Sequence, residues 1–257
     1  MTGERDARRV ALVTGGSRGI GRAIVRRLSD DGVEVATCSR QPSGPGAGEV
    51  WHAPVDLADL DAIPPFLAAL TTRFGRLDIL VNNAAFASEQ VTPIERESEE
   101  TTRRTLVTNV LAPISLVRRL LPALRASPGG GAVVNLASRA GLAPIPGLAS
   151  YSASKSALLS WTLAAAKEEK DSGVFFATVC PAGVATEMRG RLYGRDDATR
   201  QLTPERVAAV VAELALHRTA DARPTRSGGA VLLTIAGGAR VLEWLPDERG
   251  VETLNWR

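Results

Sequence analysis

Short apolar segments of strand type alternate along the chain with segments whose apolar residues recur at helical spacing. Ile20, Ala23, Ile24 and Leu28, for example, fall on one face of a helix. Seven strands are predicted, at residues 10–13, 33–38, 50–55, 77–81, 133–136, 174–179 and 230–235. Helices are predicted at residues 19–31, 57–74, 98–126, 150–171 and 203–217. This alternation predicts an α/β protein with a parallel sheet, right-handed crossovers and helices on both faces.

Three segments do not follow the alternation. Residues 41–49 are rich in Gly and Pro and are interpreted as a loop inside one domain that spans residues 1–257. Residues 187–198 are polar and weakly periodic, so we predict a mobile lid segment over a substrate site. The tail after Ala236 contains Trp244 and Trp256, which suggest that it packs against the protein or against a neighbouring subunit.

The composition is typical of a folded globular protein, since 44% of the 257 residues are hydrophobic and 23% are charged. The net charge is only +3 and the arginines are scattered, which argues against a nucleic-acid partner. Cys38 and Cys180 lack metal-site spacing, and only two histidines are present, so no metal is expected. No apolar run approaches about 18 residues, and the N-terminus has no signal-peptide core. We therefore expect a cytoplasmic protein without a membrane partner.

A glycine-rich turn lies between the first predicted strand and the first predicted helix. It reads Thr14-Gly15-Gly16-Ser17-Arg18-Gly19-Ile20-Gly21. Glycines let the backbone turn tightly and approach a pyrophosphate, while a helix N-terminus contributes N–H donors and partial positive charge. The place of the turn, directly after the first strand, favours a dinucleotide site over an ordinary strand-to-helix connection.

This turn resembles, residue for residue, the TGxxxGxG fingerprint of the short-chain dehydrogenase/reductase family. The resemblance covers about residues 10 to 235. It implies a Rossmann-type, doubly wound parallel sheet of about seven strands in the order 3-2-1-4-5-6-7. The cofactor contacts that it implies within the turn are Gly15, Ser17, Arg18, Gly19, Ile20 and Gly21.

The end of the second predicted strand favours NADPH/NADP+ over NAD. NAD-specific enzymes place an acidic side chain there for the ribose 2′-hydroxyl, whereas this chain has Ser39 and Arg40 and no carboxylate. A guanidinium offers a planar fork of donors suited to a 2′-phosphate, and Arg18 is a second candidate for the same phosphate. Either arginine taken alone could simply be a solvated surface residue.

Tyr151 and Lys155 are the candidate catalytic pair. Residues four apart lie on one face of a helix, so the phenol and the ammonium are expected to be neighbours. A nearby ammonium favours phenolate and lowers the tyrosine pKa, which yields an acid able to protonate a carbonyl oxygen. The spacing alone also fits an ordinary helix pair. Only 3 of the 31 basic residues are lysines, however, which makes a lysine at this position less expected by chance.

The family resemblance extends to further residues. Ser138 matches a serine that hydrogen-bonds the substrate carbonyl, and Asn109 matches an asparagine that helps to hold a water in a proton relay. The segments 82–85 and 181–186 match NNAG and PGxVxT, with Ala85 and Ala182 in place of glycine. Asp56 matches an aspartate that accepts a hydrogen bond from adenine. The cofactor contacts implied here are Asp56, Leu57, Asn83, Pro181, Val184 and Thr186, together with Tyr151 and Lys155.

The resemblance implies an NADPH-dependent ketoreductase in which Tyr151 donates the proton and Ser138 polarises the carbonyl. Lys155 lowers the tyrosine pKa and holds the nicotinamide ribose, and Asn109 with a water connects Lys155 to solvent. The substrate is either a polyketide-like or cyclic biosynthetic ketone, or a 3-oxoacyl thioester on a carrier protein or CoA. Four arginines could form a basic patch for such a carrier or could all be solvated: Arg139, Arg189, Arg191 and Arg195.

Two further expectations concern function and assembly. The alternative function is a catalytically silent NADP(H)-binding regulator or scaffold, because a fold can keep its cofactor site and lose its chemistry. Members of the family associate through helices that correspond to residues 98–126 and 150–171. The resemblance therefore implies a homodimer or a homotetramer, although packing against the sheet also explains the small residues of the second helix.

Overall fold

The computed structural model describes residues 8–41, 50–216, 229–233, 239–246 and 252–256. In these ranges, nine strands form one sheet in the order β3-β2-β1-β4-β5-β6-β7-β8-β9. The strands are β1 (Val10–Thr14), β2 (Glu34–Ser39), β3 (Trp51–Pro54), β4 (Ile79–Asn82), β5 (Ala132–Leu136), β6 (Phe175–Pro181), β7 (Gly229–Leu233), β8 (Ala239–Pro246) and β9 (Glu252–Trp256). Strands β1 to β7 are parallel, which confirms the predicted order 3-2-1-4-5-6-7.

Helices cover both faces of the sheet. They are α1 (Gly19–Asp30), α2 (Ile63–Phe74), α3 (Glu99–Leu106), α4 (Ala112–Arg125), α5 (Ala149–Glu168), α6 (Glu187–Tyr193), α7 (Arg195–Thr199) and α8 (Pro204–Ala215). Strand β1 shows how the two layers form. Val10 and Leu12 lie in a core cluster with α2, α4 and α5, whereas Ala11 and Val13 lie in a second cluster with α1 and α8. Burial on both faces explains why the strand is apolar at every position.

The predicted helix 98–126 is one long helical segment with a change of geometry at its centre. Ser98 caps it by accepting a hydrogen bond from the Thr101 N–H at 3.2 Å. Residues Val107–Leu111 adopt π-helical geometry between α3 and α4. Pro113 has no N–H to donate to the carbonyl four residues earlier, that of Asn109, so the α-helical bonding pattern cannot continue there. The irregular turn therefore centres on a candidate site residue, as π-helical turns often do.

The segment Glu99–Arg125 is long and apolar enough to cross a membrane by length and composition alone. Arg118 and Arg119 interrupt its apolar residues, so a search for an uninterrupted apolar run does not detect this property in the sequence. Leu116, Val117 and Leu120 are buried in the core cluster against the sheet, and this packing accounts for the apolar side of the helix.

Other segments differ from the sequence predictions in their secondary structure or in the residues at which they begin and end. The predicted mobile lid segment, residues 187–198, folds as the two short helices α6 and α7. The tail after Ala236 contributes β8 and β9, which extend the sheet in antiparallel fashion. The predicted helix 203–217 is described as α8, and its last residue, like most of the predicted loop 41–49, lies outside the described residues.

Candidate active site

The glycine-rich turn leads from β1 into α1 with backbone geometry that only glycine supports. Gly15 has a positive φ of 69°, and its N–H donates to the Cys38 carbonyl at 2.7 Å. A Cβ added at Gly15 would lie 2.9 Å from the Ala84 Cα, and one added at Gly21 would lie 2.1 Å from the Gly15 oxygen. The turn therefore packs too closely for any side chain at these two positions.

Hydrogen bonds of Thr14 and Asn83 connect this turn to the end of β4. The Asn83 side chain donates to the Thr14 carbonyl at 2.8 Å and to the Gly15 carbonyl at 3.2 Å. The Thr14 hydroxyl accepts hydrogen bonds from the N–H groups of Asn83 and Ala84 at 3.1 and 3.0 Å. The side-chain bonds of Asn83 thus position the glycine-rich turn.

A cavity of about 240 Å³ runs along the carboxyl ends of the strands. One end lies at Arg40, after β2, and the other at Tyr151 on α5. The predicted cofactor residues on its wall are Gly15, Ser17, Arg18, Gly19, Ile20, Gly21, Ser39, Arg40, Asp56, Leu57, Asn83, Tyr151, Lys155, Pro181 and Thr186. The N-terminus of α1 also opens onto this cavity at Gly19, where N–H donors suit a pyrophosphate. This donor set fits a dinucleotide along its whole length.

Asp56 forms an ion pair with Arg104, a residue that the sequence analysis did not identify as part of the site. Its Oδ2 atom accepts from the Arg104 guanidinium at 2.7 Å, and its Oδ1 atom accepts from the Ala58 N–H at 3.0 Å. The guanidinium also lies over the Phe86 ring, 5.3 Å from the centroid. Arg104 and Phe86 both line the large cavity. No local motif marks Arg104, because its contact joins α3 to a distant loop.

The two arginines predicted for a 2′-phosphate differ in their surroundings. Arg18 pairs with Glu187, the first residue of α6, at 2.5 Å, and both side chains are exposed. Arg40 is exposed, lines the same cavity and makes no ion pair with any described residue. Glu187 is therefore a second cavity residue that the sequence analysis missed.

Lys155 is fully buried beneath the far end of the cavity. Its Nζ donates to the Leu136 carbonyl at 2.7 Å and lies 5.7 Å from the Tyr151 ring centroid. Burial disfavours the charged form and lowers the pKa of Lys155 to about 8. The ammonium is thus directed at the end of β5 and lies beside the phenol.

The pKa of Tyr151 moves in the opposite direction to the prediction. Burial raises it above its usual value, a hydrogen bond with Ser138 lowers it, and Tyr193 raises it. The raising contribution is larger, so the expected lowering by Lys155 is wrong for the protein without a bound cofactor. The physical reason is that the phenolate would be desolvated while the Lys155 ammonium donates to a backbone carbonyl.

Asn109 lies away from the cavities, in the π-helical turn. Its side chain accepts from the Phe86 N–H at 2.7 Å and donates to the Phe86 carbonyl at 2.8 Å and the Ser154 hydroxyl at 2.9 Å. These bonds join the turn to α5 one residue before Lys155. The Asn109 amide therefore positions the helix that carries Tyr151 and Lys155, the candidate catalytic pair, and its contact with a relay water stays a prediction.

A second, smaller cavity of about 130 Å³ adjoins the first. Ser138, which follows β5, and Tyr151 both line it, and Tyr151 lines the large cavity as well. Val184, predicted as a cofactor contact, lies on this second cavity together with Ala182. Met188 and Tyr193 of α6 form another part of its wall. The phenol therefore stands where the two cavities meet.

Comparison with known proteins agrees with this geometry. A D-beta-hydroxybutyrate dehydrogenase of Rhizobium meliloti (strain 1021) is 31% identical over 210 residues, which are 77% of this chain and 80% of that protein. A 3-oxoacyl-(acyl-carrier-protein) reductase of Vibrio cholerae is 30% identical over 230 residues, which are 87% of this chain and 89% of that protein. A solved metagenomic short-chain oxidoreductase in complex with NADP matches with a TM-score of 0.72 at 30% identity, over 88% of this chain and 96% of that one.

The model of the short chain dehydrogenase family matches residues 9–196. This range contains the glycine-rich turn, Ser138 and the Tyr151–Lys155 pair. The protein is therefore a member of the short-chain dehydrogenase/reductase family, an oxidoreductase acting on alcohol or ketone groups.

Proposed function

We propose that this protein reduces a ketone to a secondary alcohol with NADPH, and that Tyr151 donates the proton. The observation that carries the proposal is the position of Tyr151 at the junction of the two cavities. The large cavity contains the dinucleotide donor set, and the small one contains Ser138. A carbonyl group in the small cavity would lie next to the phenol that protonates it.

The protonation states of the site residues suit reduction near neutral pH. The pKa of Tyr151 is raised, mainly by burial, so the phenol carries the proton that the new alcohol needs. The pKa of Lys155 is about 8, so its ammonium is mostly charged at neutral pH. Ser138 lines the small cavity together with the phenol and can donate to the same carbonyl oxygen. When bound, the nicotinamide supplies the hydride, and the protein supplies position and proton.

NADPH is proposed over NADH because of the charges at the far end of the large cavity. Ser39 is the last residue of β2 and Arg40 follows it, at the position where an NAD-specific enzyme would have a carboxylate. The Arg40 guanidinium makes no ion pair within the described part of the chain, so its donors are available to a 2′-phosphate. Arg18 contributes a second guanidinium on the same cavity.

A 3-oxoacyl substrate, with its ketone at the third carbon of an acyl chain, is proposed over a cyclic ketone. Two relatives support it, since the names beta-hydroxybutyrate and 3-oxoacyl both describe acyl chains oxygenated at that carbon. No observation favours the silent binding protein. Ser138, Tyr151 and Lys155 are all present and line the two cavities, whereas loss of one catalytic residue is what such a protein would be expected to show.

We also propose that the protein is a cytoplasmic homodimer or homotetramer. Leu106 and Leu111 are 38% and 46% exposed on the long helix, and Ala153 and Ala157 are exposed on α5. Exposed apolar residues on neighbouring helices are typical of a surface that another subunit covers. Both cysteines are free and buried, which agrees with a reducing compartment.

The substitution Tyr151→Phe tests the proposed chemistry. It keeps the ring and removes the hydroxyl, so we expect loss of NADPH oxidation with a 3-oxoacyl ester by at least about 100-fold. Fluorescence titration should show that NADPH still binds. Retained turnover in this variant would refute the mechanism. Binding of NADPH by the native protein without turnover of any ketone would instead support the silent binding protein.

A further inference from the structure

The small cavity has an uneven charge. Two cationic side chains line it, Arg139 and Arg189, and no carboxylate does so among the described residues. The remaining wall is mostly apolar, with Ile145, Leu148 and Leu192 as examples. A positive group beside an apolar wall is an arrangement that orients an amphipathic, negatively charged ligand.

The positive charge of Arg189 is not available to a ligand in the small cavity. Its guanidinium donates to both oxygens of Asp197, at 2.5 and 3.2 Å, and stacks on the Tyr193 ring at 3.9 Å. The same pairing holds the pKa of Asp197 below its usual value. Arg189 therefore braces α6 against α7, and its charge is already neutralised.

Arg139 is in a different situation. It directly follows Ser138, lies at the start of a short 3₁₀ turn and is exposed at the mouth of the small cavity. It makes no ion pair with any residue of the described part of the chain. Of the two other arginines predicted as a basic patch, Arg191 lies 3.8 Å from a Glu187 oxygen, and Arg195 lines neither cavity. Arg139 is thus the one unneutralised cation on this cavity within the described ranges.

We propose that Arg139 binds an anionic group of the substrate and holds the substrate ketone against Ser138 and Tyr151. This inference rests on the proposed ketone reduction and adds the charge of its substrate. A guanidinium can bind a carboxylate or a phosphate through two parallel hydrogen bonds, which would fix the orientation of the substrate as well as its affinity. Because Arg139 directly follows Ser138 in the chain, its guanidinium stays within side-chain reach of the carbonyl site.

The anion has two sources that share this chemistry. A short 3-oxo acid carries a carboxylate near the ketone, and a cavity of about 130 Å³ suits a ligand of a few carbon atoms. A thioester of CoA or of a carrier protein carries phosphate groups farther away, and the exposure of Arg139 at the cavity mouth would allow that contact too.

Four substrates separate these sources: 3-oxobutanoate, its methyl ester, 3-oxobutanoyl-CoA and the neutral 3-oxobutanoyl thioester of N-acetylcysteamine. We expect Arg139→Ala to raise KM about tenfold or more for one of the charged substrates, 3-oxobutanoate or 3-oxobutanoyl-CoA. KM for the corresponding neutral compound, the methyl ester or the N-acetylcysteamine thioester, should rise less than about twofold. An effect on the free acid identifies a carboxylate, and an effect on the CoA thioester identifies a phosphate. Arg139→Lys should recover part of the loss, since it keeps the charge without the planar fork.

Arg195→Ala is the matched control, because it removes an exposed arginine outside both cavities. If Arg139→Ala changes charged and neutral substrates equally, or changes none of them, the inference is wrong while ketone reduction stands. If the native protein oxidises NADPH with none of the four substrates, the proposed 3-oxoacyl reduction itself fails.

Discussion

The Arg18 guanidinium and the Glu187 carboxylate form an ion pair of 2.5 Å across the mouth of the large cavity. Arg18 belongs to the glycine-rich turn, and Glu187 is the first residue of α6 in the lid segment. Arg18, one of the two arginines proposed to bind a 2′-phosphate, is therefore already paired with a carboxylate. Because both side chains are about half exposed, the pair itself contributes little to stability.

The first prediction concerns Glu187→Gln. A 2′-phosphate must compete with the Glu187 carboxylate for Arg18 and is repelled by it, so the substitution should lower KM for NADPH about threefold to tenfold. KM for NADH should stay within about twofold, because NADH has no charge at that position. Asp196→Asn, which removes an exposed carboxylate from α7 away from both cavities, serves as the control. Equal changes for the two cofactors would contradict the prediction.

The second prediction concerns Arg40, an exposed cation on the wall of the large cavity that makes no ion pair with any described residue. Arg40→Ala should raise KM for NADPH about tenfold and leave KM for NADH nearly unchanged, because only NADPH carries the 2′-phosphate. Steady-state kinetics with both cofactors at fixed ketone concentration gives the comparison. A native enzyme that prefers NADH, or a variant with unchanged KM for NADPH, would disprove the role of Arg40.

The sequence predicted the parallel sheet and the proximity of Tyr151 and Lys155 because both depend on local patterns. Strands buried on both faces are apolar throughout, and the TGxxxGxG turn and the Tyr151–Lys155 spacing each occupy only a few consecutive residues. The strands β8 and β9 were not predicted, since the tail alternates weakly and follows no helix.

The contacts of Arg104 and Glu187 could not be predicted in the same way. Each residue meets a partner far away in the chain, so nothing in its own neighbourhood indicates the contact. The pKa of Tyr151 shows a related difficulty. The spacing places an ammonium nearby, but the degree of burial and the direction of the Lys155 hydrogen bond depend on the packed core.

The third prediction concerns Arg104, which holds Asp56 at the proposed adenine end of the cavity. In Arg104→Ala, the Asp56 carboxylate loses its 2.7 Å partner and its fixed position, so KM should rise about threefold to tenfold for NADPH and NADH alike. The value of kcat at saturating cofactor should change little, because Tyr151, the proposed proton donor, lies at the opposite end. A selective effect on NADPH would instead place Arg104 at the 2′-phosphate.

The fourth prediction concerns assembly. Leu111 is 46% exposed on the long helix, and in a dimer or tetramer built on that helix it would be covered. Leu111→Asp should therefore shift the protein toward monomer in sedimentation experiments, since burying a carboxylate in an apolar interface is costly. Ile94→Asp is the control, because Ile94 is 74% exposed and belongs to a short turn that precedes the long helix. Native protein that sediments as a monomer would refute the proposed assembly.

The last prediction uses the buried ammonium of Lys155, whose pKa is lowered to about 8 from a usual value of 10.5. Below about pH 8 both the folded and the unfolded chain carry this proton, and the folded state bears the full cost of the buried charge. Between the two pKa values the unfolded chain binds more protons, so the free energy of unfolding rises with pH.

Lys155→Met abolishes this titration. The free energy of unfolding of the native protein should therefore gain roughly 1–2 kcal/mol relative to the variant between about pH 7 and about pH 9.5. Denaturant unfolding at both pH values measures the difference, and other titrating groups cancel in it. Lys170→Met, which removes an exposed lysine just beyond the end of α5, should show no such gain. If native protein and Lys155→Met respond identically to pH, the Lys155 ammonium is not the buried cation on which the proposed protonation states depend.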